Sequence, residues 1–293
     1  MPIIKAENLT HVYARGTPFE VNSLKGISLE VRQGEFYAII GATGSGKSTL
    51  VQLLNGILKP TSGNLRVCGI DVSNPVLRRE LWCKVGLVFQ QPEQQLFEET
   101  VLEDVAFGPR NLGLSGKEVE ERVADALRLV GLDPDEVGSL SPFSLSGGIR
   151  RKIAIAGVLA LHPEVLVLDE PTAGLDPFSR RNLMERIDQL RQERGVTVVL
   201  VSHNMEEVAR WAGRLAVLHH GHLVLEATPG EIFKKSEQMQ AMGLGVPITV
   251  ELMLKLRAHG KPVRTDILTI DEAVEEISVL MSRYEKNDDA MSN

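Results

Sequence analysis

Residues 36–49 leave this chain few folds to choose from. The apolar run Phe36-Tyr37-Ala38-Ile39-Ile40 reads as a buried strand, and Leu50, Leu53, Leu54 and Ile57 mark one face of a helix over about 47–58. Between them stands Gly41-Ala42-Thr43-Gly44-Ser45-Gly46-Lys47-Ser48-Thr49, with the spacing G-x-x-x-x-G-K-S of a phosphate-binding loop. Gly41, Gly44 and Gly46 let the backbone take positive φ, so that successive N–H groups face one anion. The helix N-terminus adds its positive dipole end at the same point. Lys47 is expected to reach the β- and γ-phosphates and the Ser48 hydroxyl to coordinate Mg²⁺. An ordinary glycine-rich turn is the plainer alternative, but the strand before the loop and the helix after it favour a nucleotide.

Three further strands are expected to end in polar residues. Val165-Leu166-Val167-Leu168 is an uninterrupted apolar run, as in a parallel sheet buried on both faces, and it stops at Asp169-Glu170. Val196 to Val201 stops at Ser202-His203, and Val85 to Phe89 stops at Gln90. Ligands of such sheets bind beyond the carboxyl ends of the strands, where all these groups fall. Taken singly, a strand-end acid is usually solvated and a lone histidine structural. Leu145-Ser146-Gly147-Gly148 opens a helix over Ile149 to Leu161, with Ser146 as its N-cap. Arg150, Arg151 and Lys152 occupy its first turn, where cations oppose the helix dipole, so an anionic neighbour is expected. Tyr13 closes the first strand before the turn Ala14 to Pro18. It is placed to stack on adenine, although a half-buried strand tyrosine is the plainer reading of that stretch.

A net charge of −7 without a long basic block argues against nucleic acid as a partner. Only Cys68 and Cys83 occur, which excludes a disulfide framework and fits a reducing compartment. The first residues lack a signal-peptide pattern, and apolar runs such as Ile153 to Leu161 are about half the ~20 residues of a spanning helix. From Ser236 the character changes. Glycines and prolines separate helical stretches at 248–258 and 271–284, too small a unit for a core of its own unless it packs on something, and 285–293 is expected to be a disordered tail.

In order along residues 3–233, these motifs resemble an ATP-binding cassette (ABC) ATPase. The resemblance implies an α/β P-loop fold with an N-terminal antiparallel β-subdomain and a helical subdomain over about 91–162, within a nucleotide-binding domain 1–235. The small helical extension at 236–284 follows it, with dimerisation as its implied role. ATP and Mg²⁺ are the implied cofactors. Tyr13 would stack on adenine, and Gly41 to Thr49 would hold the phosphates. Asp169, Ser48 and Gln90 would serve the metal, and Glu170 would polarise the attacking water. His203 and Lys47 would act on the γ-phosphate. Ser146, Gly147 and Gly148, with Asp176 after Leu175, would belong to composite sites in a head-to-tail dimer. The segments Thr17-Pro18-Phe19-Glu20, 89–101, Ala106-Phe107-Gly108-Pro109 and Ser141-Pro142-Phe143 are similar to the A2-type ATPase of energy-coupling factor transporters. That implies an A1-type partner (or a second copy), a transmembrane T subunit docked near residues 93–104, and an S subunit reached through it. It also implies a peripheral position on the cytoplasmic face of the cell membrane, with a vitamin or transition-metal ion as cargo. One departure stands out: the signature's usual glutamine is Ile149, which cannot make the side-chain hydrogen bonds of glutamine. A soluble cassette ATPase acting on ribosomes or DNA is the first alternative, without the tandem cassettes or basic surfaces usual there. A scaffold without turnover is the second, with Ile149 as its only support.

Overall fold

The computed structural model describes the backbone of residues 1–291 and the side chains of residues 1–282. Its first half-layer is an antiparallel sheet. β1 (Pro2–Tyr13) pairs with β2 (Val21–Arg32) on one side and β4 (Ser62–Val67) on the other, and β4 carries the short β5 (Ile70–Asp71). Ile27, Leu29 and Val31 of β2 are buried while Ser28, Glu30 and Arg32 are exposed, the period-2 pattern of a sheet with one wet face. The second sheet has the order β10-β9-β3-β8-β7-β6. Its members are β3 (Phe36–Ile40), β6 (Val85–Val88), β7 (Val165–Asp169), β8 (Thr197–Val201), β9 (Arg214–His219) and β10 (His222–Ala227). All neighbours are parallel except the β9–β10 hairpin.

Alternate residues of the central strands serve two different cores. Val165, Val167, Val199 and Val201 join Leu50, Leu53 and Leu54 of α1 (Lys47–Leu54) between the two sheets. Leu166, Leu168, Val198 and Leu200 face the helices on the other side. Each such side chain removed from water contributes about 1.5–3 kcal/mol, which is why the runs at 165–168 and 197–201 are uninterrupted. The short α2 (Leu81–Lys84) leads into β6. The helical subdomain follows: α3 (Val101–Asn111), α4 (Gly116–Leu129), α5 (Pro134–Val137) and α6 (Gly147–Leu159). Thr100 caps α3, and a Ser115–Glu118 capping box starts α4. α7 (Pro177–Arg194) and α8 (Met205–Trp211) return the chain to the sheet.

The extension is not a separate unit. α9 (Pro229–Phe233), α10 (Ser236–Ala241), α11 (Ile248–Ala258) and the connection between the last two send Phe233, Met239, Val250 and Leu244 into one core with Met205 and Val208 of α8 and Leu215 of β9. The Ile248 N–H also donates to Glu206 Oε1 at 3.2 Å. Packing is therefore continuous across the expected boundary at 235. Only the end of α11 and α12 (Ile270–Met291) build a small cluster of their own, around Met253, Val263, Ile267, Ala273 and Leu280. The tail expected from residue 285 overlaps α12, and residues 292–293 lie outside the described residues. Among the described residues no helix is long and apolar enough to cross a membrane.

Candidate nucleotide site

The loop between β3 and α1 sits at the carboxyl edge of the parallel sheet, and its glycines are required by close approach. A Cβ on Gly41 would strike the carbonyl of Leu218 and the Ser45 hydroxyl. Gly46 has φ 105°, and a Cβ there would meet Leu24 and the Ser23 carbonyl at 2.7–2.8 Å. The loop is thus wedged between β9 and β2, and its Ser45 N–H donates back to the Ala42 carbonyl at 3.1 Å. Lys47 Nζ donates to the carbonyls of Gly41 (2.6 Å) and Ala42 (3.0 Å). Burial pulls its pKa down, while the nearby Glu170 and Asp169 carboxylates push it up.

Gly41, Ala42, Thr43, Gly44, Lys47, Ser48, Gln90, Asp169, Glu170 and His203 line one cleft of about 750 Å³. Four separate strand ends thus deliver their polar residues to one place. Asp169 has its carboxyl pKa raised, first by burial and then by the charge of Glu170 beside it, with Lys47 acting in the opposite sense. Glu170 is nearly buried, and its Oε1 lies 2.7 Å from His203 Nδ1, whose own side chain is largely exposed. The Glu170 backbone has φ 53°, in the left-handed region. For a residue with a Cβ this costs about 1–3 kcal/mol and persists only where the surroundings impose it.

The remaining expected residues lie elsewhere. Tyr13 is not in the cleft wall; its hydroxyl is 3.2 Å from Thr49 Oγ1, which in turn bonds Ser23 Oγ at 2.7 Å. Thr49 is therefore buried support beneath the loop rather than a lining group. Ser45 is buried too, and its hydroxyl has no hydrogen-bond partner. Asp176 caps α7, accepting from the N–H groups of Phe178 and Ser179. Ser146 caps α6 as expected. Gly147 and Gly148 border a second cavity of about 400 Å³ with Gln91, Glu93 and Arg151, reached by Gln90 from the other side. Of the three cations expected to meet an anion at the start of α6, Arg151 does so there: Glu93 Oε2 lies 3.9 Å from its Nη1, and backbone carbonyls surround the rest of the guanidinium, whereas the Arg150 Nε has no hydrogen-bond partner. In the segment 93–104, Leu96 is buried in the core of the helical subdomain while its neighbour Phe97 is exposed, so of this apolar pair only Phe97 is free to anchor a docked subunit.

Sequence reading missed part of the wall. Met205, Gly243, Leu244 and Gly245 also line the cleft. The glycines had been legible only as spacers between helices. What brings them to this cleft is the core that α8, α9 and α10 share with Leu244, a long-range arrangement with no local signature.

These features decide the family. Residues 24–173 match the model of the ABC transporter family. The chain belongs to that family, as an ATP-binding subunit of the energy-coupling factor kind. The energy-coupling factor transporter ATP-binding protein EcfA2 of Clostridium tetani is 47% identical over 285 residues, 97% of this chain and 99% of the relative. Among solved structures, CbiO1 from Clostridium perfringens, described as part of the ABC transporter complex cbiONQ, is similar with a TM-score of 0.72 and 36% identity. It covers 82% of this chain and 94% of its own. The dimeric ATP-binding cassette MJ0796, bound to ADP and Pi after hydrolysis, gives a TM-score of 0.69 at 30% identity, covering 77% of this chain and 98% of its own.

Against that family the cassette's Ile149 has a local rationale. Its side chain packs on the core of the helical subdomain beside Leu145, and its N–H donates to Ser146 Oγ at 3.4 Å. The backbone that Ser146, Gly147 and Gly148 present at the start of α6 does not depend on that side chain. Ile149→Gln is therefore expected to change turnover of the assembled transporter by less than about tenfold, under ~1.4 kcal/mol in barrier. Steady-state ATPase rates check this, and a gain well beyond tenfold would mean that isoleucine impairs the native signature.

Proposed function

We propose that this cassette hydrolyses ATP at the cytoplasmic face of the cell membrane to power uptake of a vitamin or transition-metal ion. It works with a second cassette beneath a transmembrane T subunit that carries the substrate-binding S subunit. The observation that carries the reading is the convergence of the phosphate loop, Gln90, Asp169, Glu170 and His203 on one cleft.

The donor set suits Mg²⁺. The Ser48 hydroxyl, the Asp169 carboxylate and the Gln90 amide oxygen are hard oxygen ligands, and two adjacent carboxylates face only Lys47 as a cation within the cleft wall. Among the described residues there is no group of three or more His, Cys, Asp or Glu able to cage a metal, which fits an ion held by few side chains together with phosphates. When bound, Mg²⁺ would neutralise charge on the β- and γ-phosphates. The chain's own groups do the rest. Backbone N–H groups of the loop 41–48 and the Lys47 ammonium hold the phosphates, the ammonium leaving the Gly41 and Ala42 carbonyls to do so. Glu170 orients and polarises the attacking water. His203, whose Nδ1 lies 2.7 Å from Glu170 Oε1, holds the γ-phosphate as charge builds on it. This is catalysis by positioning and charge neutralisation, without a covalent intermediate.

Exposed Ser146, Gly147 and Gly148 lie outside the chain's own cleft, as expected if they close over ATP held by the other cassette. The extension supports the same pairing. Ile270, Val274 and Met281 form an exposed apolar stripe on α12, and Ile248 with Leu252 form another on α11. Val274→Glu combined with Met281→Glu is expected to abolish nucleotide-free association of the cassettes while ATP binding by each persists. Size-exclusion chromatography reads the outcome, and an unchanged elution would assign the stripe to another partner.

The reading as a whole is tested by purifying the chain from detergent-solubilised membranes. Recovery with transmembrane subunits and ATP hydrolysis by that complex are expected. Recovery with ribosomes or DNA would reverse the assignment.

A further inference from the structure

One buried cation in this fold has no part in the mechanism above. Arg151, in the first turn of α6, is only 6% exposed. Its Nε donates to the Pro171 carbonyl at 2.7 Å and its Nη1 to the Ala173 carbonyl at 2.6 Å. Its Nη2 donates to the carbonyls of Gln90 and Glu170, both at 2.7 Å. A single planar guanidinium thus closes on three carbonyls of the turn 170–173 and on that of Gln90 just beyond β6, with Glu93 Oε2, 3.9 Å away, the only carboxylate within ion-pair distance among the described residues. The five donors of arginine lie in a fixed fork, so this arrangement specifies the relative positions of its acceptors, which a flexible ammonium cannot do.

The held turn is the one that carries Glu170 in its left-handed conformation. Apart from Arg151, the turn is held by the Glu170 N–H donating to the Val201 carbonyl at 2.9 Å, by a weak bond from the Ala173 N–H to the Glu170 carbonyl at 3.3 Å, and by the Thr172 hydroxyl donating to the buried Glu207 Oε1 at 2.6 Å; none of these reaches the Gln90 strand end. We propose that Arg151 is a positioning residue for hydrolysis: it fixes the backbone turn that aims the Glu170 carboxylate and locks the Gln90 strand end to that same turn. Because Arg151 belongs to α6, whose Gly147 and Gly148 begin the signature, movement of the helical subdomain is transmitted to the aim of the catalytic carboxylate. Arg151 touches neither nucleotide nor water in this scheme. The inference rests on the assignment of Glu170 to water activation made above.

The test compares Arg151→Lys and Arg151→Met with the native chain in the assembled transporter, measuring kcat and KM for ATP, with thermal melting of each complex. Lysine keeps the charge but reaches fewer of the acceptors, and methionine keeps much of the length without a donor. The expected result is a kcat lowered tenfold or more in both, with KM for ATP changed less than threefold and binding of a fluorescent ATP analogue retained. A folded Arg151→Lys complex with native kcat would overturn the proposal. So would a raised KM with unchanged kcat, which would place Arg151 in ATP binding. If methionine prevents folding, the lysine variant decides alone. A native complex that does not hydrolyse ATP would instead sink the functional assignment, so the two failures are distinguishable.

Discussion

Glu170→Gln is expected to stop hydrolysis by the assembled transporter while leaving ATP binding intact. Glutamine keeps the shape of the side chain and can still meet His203, but it carries no charge to polarise water. A loss of about a hundredfold or more in kcat, ~2.7 kcal/mol in barrier, is the scale for removing such a group. The change also removes one of two adjacent buried carboxylates, the second-ranked cause of the raised pKa of Asp169. Asp169 should then ionise more readily and hold ATP with its metal at least as well as before. The cassette pair should therefore accumulate in a long-lived ATP-bound form, visible by size-exclusion chromatography with radiolabelled ATP. Turnover near the native rate would show that Glu170 is not the base, or that the competent site lies wholly in the partner.

The second large effect is expected at residues 93–104, where we propose that the membrane subunit docks. Of the five acids between residues 93 and 104, three are engaged within the chain. Asp104 Oδ2 accepts from the N–H groups of Phe97 and Glu98, Glu103 accepts from the Thr100 hydroxyl, and Glu93 faces Arg151. Glu98 and Glu99 have no side-chain partner among the described residues. Beside them Phe97 stacks edge-on against Phe107 at 4.9 Å, and Phe107, Leu102 and Phe143 are also exposed. Unpaired carboxylates at the border of an apolar patch suit a helix end that brings arginine, since a charge-assisted bidentate pair fixes orientation as well as adding energy. Replacing Glu98 and Glu99 together by lysine should abolish co-purification with the T subunit and hence transport, with ATP binding by the isolated cassette unchanged. Normal assembly of that double variant, or crosslinks placing the membrane subunit elsewhere, would refute the docking assignment.

Much of this was legible in the sequence because the informative signals are local. A phosphate loop needs glycines at fixed offsets, and strands buried on both faces need unbroken apolar runs, so Lys47, Asp169 and Glu170 could be placed from spacing alone. Gln90 and His203 carried weaker signals, and only their position at strand ends in the same sheet made them meaningful. What escaped was set by tertiary packing. Leu96 and Phe97 are adjacent and both apolar, yet one enters the core and the other faces out, because the short turn before α3 fixes which side is inward. Gly243 to Gly245 carry no chemistry that reading could detect. The cluster Arg150-Arg151-Lys152 was noticed as unfavourable for a helix start, but its acceptors are carbonyls from segments about 20 and 60 residues away.

The loop at 243–245 gives the extension two obligations at once. Its inner side is wall for the nucleotide, and its outer helices present apolar stripes to solvent. A chimera that exchanged tails between two cassettes at residue 235 would therefore carry over part of the donor's nucleotide pocket along with the apolar stripes proposed for pairing. The segment's history is constrained from both sides: a change that suits a new partner must still leave room for ATP.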